Sequence, residues 1–137
     1  MNRITEQIRD IASRYGLQII YAFGSRAKEA LGMAEGGIER FSSSPSDLDM
    51  GVKPSRALTV QEKVEMAILF EDLFGAPRVD LVVLPEAPIS LAFEIVTGEI
   101  LYMDDAAHEA EYQLYIMRQY ADLLPHERMK QEMIMGK

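Results

Sequence analysis

Three aspartates and a glycine–serine pair are the residues whose types and spacing could do chemistry together. Asp47 and Asp49 stand one residue apart in DLDMGV, a stretch that reads as a strand, and side chains two apart on a strand project from one face. Two carboxylates about 4 Å apart repel by about 4 kcal/mol at an effective dielectric of roughly 20. A divalent cation removes that repulsion, and an oxygen-only donor set suits Mg2+. Asp80 lies inside RVDLVVL, where a carboxylate on a buried strand is costly unless paired or bound to metal. Each has a plain alternative: a solvated strand edge or turn for Asp47 and Asp49, a strand face open to water for Asp80. Gly24-Ser25 follows an apolar strand and precedes a short helix. Glycine lets backbone amides approach a ligand closely, a helix N-terminus offers N–H groups to an anion, and the Ser25 hydroxyl adds a donor. The same pair is also a common turn. Arg26 and Lys28 come next and could neutralise a triphosphate; otherwise they are ordinary surface charges. Taken jointly, these residues describe a carboxylate triad on neighbouring strands facing a phosphate cradle.

The elements that must position them follow from the apolar periodicity. Ile4, Ile8, Ile11 and Ala12 predict a helix from about Thr5 to Tyr15, stopped by Gly16. Gln18–Phe23 predicts a strand. Arg26–Leu31 predicts a short helix ended by Gly32, and Asp47–Val52 a strand followed by a Lys53-Pro54-Ser55 turn. Thr59–Phe74 predicts a helix with Val60, Val64, Ala67, Ile68 and Phe74 on one face and a Thr59/Glu62 capping box. Arg78–Leu84 and Glu99–Met103 predict strands, with a Pro88–Thr97 helix between them. From Asp104 to Leu124, the residues Ala107, Ala110, Leu114, Met117, Ala121 and Leu124 keep the three-four spacing of a helix that packs on a helix. Pro125 is expected to break or kink it, leaving a methionine-bearing tail over 126–137. The pattern is α/β (α+β), a mixed sheet of about four strands flanked by helices, with a long C-terminal helix. The expected division is a catalytic unit over 1–103 and a C-terminal helix and tail over 104–137 that pack on the domain or a partner.

Composition narrows the function classes. The 137 residues make one domain, and no apolar run approaches the roughly 20 residues of a membrane span. The first ten residues are charged and lack the apolar stretch of a secretory signal, so a cytoplasmic protein is the expectation. With no cysteine there is no disulfide, thiolate zinc site or cysteine nucleophile. His108 and His126 are too far apart to suggest a histidine metal cage. A net charge of −8 argues against stable binding to nucleic-acid backbone. The charge is uneven: residues 1–60 sum to +1 and residues 61–137 to −9, so a polyanionic ligand belongs against the first half.

Read together, YAFGSRAKEALG, SDLDMGV and VDLVVL resemble the minimal nucleotidyltransferases of the polymerase-beta superfamily, whose pattern is Gly-Ser after a strand, Asp-x-Asp, and a third Asp on a later strand. The match covers about residues 1–103. EIVTGEILYMDD resembles the end of that domain in small stand-alone members, the antitoxin partners of HEPN toxins. The resemblance implies the nucleotidyltransferase fold and transfer of AMP from ATP to a hydroxyl of a partner HEPN toxin, a tyrosine, in a type VII-like toxin–antitoxin module. It implies that Gly24 and Ser25, with Arg26, hold the nucleotide's phosphates, and that Asp47 and Asp49 hold two Mg2+ ions. Asp80 then shares a metal and acts as, or orients, the base. One departure is the linker: residues 26–46, twenty-one in all, exceed the family's usual spacing. The excess falls in Gly32–Ser46, a Gly/Ser-rich loop expected to be mobile, as a lid or as a cover on the free site. Glu29 also stands where the family often has glycine. Two other functions compete: an antitoxin that neutralises its partner by binding alone, and a small-molecule, aminoglycoside-like nucleotidyltransferase. The Ala107–Leu124 stripe is expected either to pack on its own domain or, with Met129, Met133 and Met135, to meet the toxin or a second copy.

Overall fold

A computed structural model describes the backbone of residues 2–43 and 46–134, and the side chains of these as far as Pro125. The chain runs α1 (Arg3–Tyr15), β1 (Leu17–Phe23), a 3-10 turn (Gly24–Arg26), α2 (Ala27–Glu35), β2 (Leu48–Pro54), α3 (Val60–Phe74), β3 (Val79–Val83), α4 (Ile89–Val96), β4 (Glu99–Met103) and α5 (Ala106–Ile134). The four strands form one mixed sheet in the order β3-β2-β1-β4. β1 pairs antiparallel with β2 and β4, while β2 and β3 are parallel. This is the α/β architecture that the alternating periodicity predicts.

Strand alternation sends apolar side chains to both faces, and each face carries its own core. On one, Ile20, Ala22, Met50 and Val52 meet α1, α2 and α3 through Ile8, Ala30, Met66 and Phe70. On the other, Ile19, Tyr21 and Phe23 meet α4 and α5 through Ala92, Ile95, Val96 and Ile116. Asn2 caps α1 by accepting from Thr5 N–H at 2.9 Å, and its own amide donates to the Ala34 carbonyl at 2.8 Å, which ties α1 to the end of α2. The Thr59/Glu62 capping box of α3 is present as expected.

Four elements differ from expectation. First, α2 does not stop at Gly32. It runs on to Glu35 and ends at Gly36, whose φ of 84° is the left-handed cap. Second, the segment expected to be a free loop is fastened. Phe41 is buried with its ring 5.6 Å from that of Phe74, and the Ser42 and Ser46 carbonyls accept from Arg26. Third, α3 turns a different side inward. Met66, Phe70 and Phe74 are buried, whereas Val60, Val64 and Ile68 lie exposed. Periodicity sets the spacing of a stripe but not which of two stripes faces the sheet, and the two phenylalanines bury more area than the valines.

Fourth, Pro125 does not end α5, whose backbone stays helical to Ile134. The helix is anchored well upstream of the proline. The Tyr21 hydroxyl donates to buried Glu109 at 2.6 Å, Gln113 donates to the Val96 carbonyl at 2.9 Å, and Phe93 stacks on Tyr120 at 4.2 Å. Extending a nucleated helix costs far less than starting one, so the loss of one backbone hydrogen bond at proline is tolerated. Of the predicted stripe, Leu114, Met117 and Leu124 are 41–48% exposed, and Ala107, Ala110 and Ala121 are exposed as well. The face that packs on the domain is instead Glu109, Tyr112, Gln113 and Ile116. Met129, Met133 and Met135 lie outside the described side chains.

Candidate functional site

The end of β1 and the starts of β2 and β3 meet at one corner of the sheet. β1 finishes at Phe23, which pairs with Asp49, and Asp49 in turn registers with Asp80 across the parallel β2–β3 ladder. Register partners in neighbouring strands point to the same face, so Asp49 and Asp80 project side by side. Both lie on the face that carries α4, opposite the buried Leu48, Met50 and Val79. Asp47 precedes β2 by one residue; the neighbouring Leu48 N–H donates to the Arg78 carbonyl at 3.0 Å and holds that end of the ladder.

Exposure differs from the expectation for Asp80. The apolar run VDLVV reads as buried, yet β3 is the edge strand and Asp80 is exposed on it. A carboxylate there keeps its water and costs little, whereas the central-strand Asp49 is half-buried. Burial pushes the Asp49 carboxyl above its ordinary range, and the carboxylates of Asp80, Asp47 and Glu94 push it further the same way. Asp49 is therefore the aspartate on which the charges of the other two converge. Glu94, on α4, is a fourth member that the sequence reading missed; its only signal was one carboxylate in the otherwise apolar turn AFEIV.

Gly24 begins the 3-10 turn with φ +75°, a left-handed conformation open chiefly to glycine. A Cβ placed there would lie 2.5 Å from Oδ2 of Asp49. The turn backbone thus passes directly beside the central carboxylate, and Gly24 and Ser25 are both exposed. Ser25 leads through the turn into α2, whose first N–H, that of Ala27, donates to the Gly24 carbonyl. Arg26 stands beside this turn, but its guanidinium is committed to the following loop: it donates to the Ser46 and Ser42 carbonyls at 3.0 and 2.8 Å and pairs with Glu29 at 3.4 Å. Arg78 reaches Asp47 at 3.9 Å, a contact between exposed groups that is worth little in water.

The donor set fits a hard divalent cation. It is all oxygen, it carries like charges that raise the cost of ionising Asp49, and a side-chain-free glycine leaves room beside it. Among the described residues, no three acidic or histidine side chains already close into a metal cage. His108 sits beside Asp104 at 3.5 Å on the exposed start of α5, and no described residue joins it to this corner.

The sequence model of the family described as Polymerase beta, Nucleotidyltransferase matches residues 6–107. Solved structures share the fold over nearly the whole chain. A toxin–antitoxin structure with AMP-PNP superposes with a TM-score of 0.70 at 22% identity, covering 96% of this chain and 98% of the other. The toxin–antitoxin MntA–HepT gives 0.69 at 21% identity, covering 96% and 97%. A tri-AMPylated HEPN toxin of Shewanella oneidensis in complex with an MNT antitoxin gives 0.68 at 21%, covering 96% of each chain. No curated protein sequence matches significantly.

Proposed function

The chain belongs to the polymerase beta nucleotidyltransferase family, and on that premise we propose that it transfers AMP from ATP to a tyrosine hydroxyl of a partner HEPN toxin, acting as that toxin's antitoxin. The observation that carries the reading is the juxtaposition of Asp49 and Asp80, in register on parallel strands, with the Gly24–Ser25 turn a side chain's width away. Paired carboxylates beside a side-chain-free turn are the arrangement that divalent-cation nucleotide chemistry uses.

In this reading the backbone of Gly24 and Ser25, the Ser25 hydroxyl and the start of α2 hold the β- and γ-phosphates. Asp47 and Asp49 hold Mg2+, with Asp80 as the third carboxylate. Bound there, Mg2+ supplies charge neutralisation at the phosphates and lowers the pKa of the attacking hydroxyl. The tyrosine oxygen forms a bond to the α-phosphorus, the bond from that phosphorus to the pyrophosphate oxygen breaks, and pyrophosphate leaves. In this reading Asp80, exposed at the sheet edge, takes the tyrosine proton and passes it to water, or orients the group that does.

The toxin as acceptor is supported by surface as well as by the neighbouring structures. The outer face of α5 leaves Leu114, Tyr115, Met117 and Leu124 uncovered, more apolar surface along one helix than a monomer gains from exposing. Asp104, Asp105, Glu111 and Asp122 rim that helix, and His108 and Arg118 are its basic groups through Pro125. A second copy would bring the same negative charge, so the acidic rim suits a partner with basic flanks better than self-association.

The test is incubation of the chain with its partner toxin, α-labelled ATP and Mg2+. Label should move to a toxin tyrosine, and D47N/D49N should abolish it while keeping the native circular dichroism. Undiminished labelling by the double variant overturns the mechanism. Neutralisation of the toxin without labelling would make the chain an antitoxin by binding alone, and labelling only of small-molecule hydroxyls would make it a small-molecule transferase.

A further inference from the structure

The segment between Ser25 and Asp47 is longer than the cradle needs, and one buried side chain fastens it. Arg26 is 2% exposed. One terminal nitrogen of its guanidinium donates to the Ser46 carbonyl at 3.0 Å, and the other to the Ser42 carbonyl at 2.8 Å. Its Cζ lies 4.2 Å from the ring centroid of Phe41, which packs in turn on Phe74. Glu29, one turn along α2, accepts from the Ser42 N–H at 3.0 Å and pairs with Arg26 at 3.4 Å. The Ser42 N–H, and after it Arg26, hold the Glu29 carboxyl below its usual range. A buried guanidinium is tolerated only where carbonyls, a carboxylate or an aromatic face meet its donors and its plane, and here all three do.

The placement of the two ends gives this arrangement a consequence. Arg26 is the residue after Ser25, and Ser46 is the residue before Asp47. One side chain therefore spans from the phosphate cradle to the first aspartate, within one residue of each. On its other side Asp47 is held by the ladder, where the Leu48 N–H donates to the Arg78 carbonyl at 3.0 Å; its own side chain is half-exposed and has a 3.9 Å surface contact with Arg78. We propose that Arg26 is a positioning residue, which clamps Phe41, Ser42 and Ser46 and so sets Asp47 against the Gly24–Ser25 cradle. It acts on the geometry of the site and not as a ligand of the nucleotide. The proposal rests on the nucleotidyl-transfer reading for what the positioning serves, though not for the clamp itself.

The experiment compares the full-length chain with R26K and F41L. Lysine keeps the charge but cannot fork between two carbonyls or stack as a plane. Leucine leaves every charge near the cradle in place and removes the ring. Three quantities are read: the rate of tryptic cleavage after the exposed Arg40, the Mg2+ concentration giving the half-maximal rise in Tm with ATP present, and the KM for ATP in transfer to the toxin. Both variants are expected to be cut at least tenfold faster at Arg40 and to need at least fivefold more Mg2+, with KM for ATP within twofold of wild type. Wild-type cleavage and Mg2+ requirement in R26K would overturn the proposal. So would a tenfold rise in KM with the loop still protected, which would make Arg26 a nucleotide ligand. If R26K does not fold, F41L carries the same two readouts. If wild type transfers nothing, the transfer reading fails, while faster cleavage and a raised Mg2+ requirement still decide the clamp.

Discussion

Replacing Gly24 with alanine separates backbone strain from damage to the site. Gly24 has φ +75°, and a residue with a Cβ in the left-handed region costs roughly 1–2 kcal/mol. In a chain of this size each kcal/mol is worth about 3–5 °C in Tm. That part of the effect is shared by Gly75, whose φ is +68° and whose added Cβ would meet nothing within 4 Å. Gly75→Ala is thus a control with the same strain, at the end of α3 and away from the cradle. At Gly24 the new methyl would also sit 2.5 Å from Asp49 Oδ2. To restore an ordinary contact the carboxylate must withdraw by roughly 1 Å. A misplacement of about 1 Å at a reacting centre can cost on the order of 100-fold in rate, or about 2.7 kcal/mol of barrier. Single-turnover labelling of the toxin with α-labelled ATP, alongside thermal melts, reads both parts. Gly24→Ala should lose about 100-fold in transfer and a few degrees in Tm; Gly75→Ala should lose the same few degrees and stay within about twofold in transfer. Full transfer by Gly24→Ala, or an equal loss in Gly75→Ala, would refute the argument that the turn's closeness to Asp49 matters.

Three further outcomes follow from the same geometry. Asp49→Asn should raise the Tm near neutral pH while abolishing transfer, because it removes a carboxylate that burial and its acidic neighbours destabilise. The folded pKa of Asp49 lies above its unfolded value, so its favourable contribution is present in acid and lost as pH rises through the raised pKa; the stabilising effect of Asp49→Asn should accordingly shrink as pH falls from 7 toward 4, measured by chemical denaturation. ATP with Mg2+ should raise the wild-type Tm in a concentration-dependent way and leave D47N/D49N nearly unshifted in scanning calorimetry. Leu114→Glu with Met117→Glu, on the exposed face of α5, should change stability by only about 0.5 kcal/mol yet weaken capture of the toxin at least tenfold by surface plasmon resonance; unchanged capture would remove α5 from the interface.

Much of the fold was legible in the order of residues, because local rules governed it. Helix and strand order, the first helix apart from its Asn2-capped start, the Thr59/Glu62 box and the strand carrying Asp49 all follow from periodicity and capping, which act within a few residues. The grouping of Gly24, Asp49 and Asp80 was legible as a pattern, since each falls at the end or start of an element that can be recognised alone.

What the residues did not determine was which surface each element turned inward. The valines of α3 and the stripe of α5 keep good helical spacing yet face solvent: on α3 the larger Phe70 and Phe74 take the sheet face, and α5 is turned by Glu109, Gln113 and Tyr120, which bond to or stack on Tyr21, Val96 and Phe93. The exposure of Asp80 depends on β3 being the edge strand, a matter of sheet order. The occupation of Arg26 depends on Phe41, Ser42 and Ser46 returning to it across the loop, and Glu94 meets Asp49 only because α4 packs over that strand. The chain's order specifies which elements form and which chemical groups they carry. Competition for a limited buried area, together with contacts between residues far apart in sequence, decides which of those groups meet.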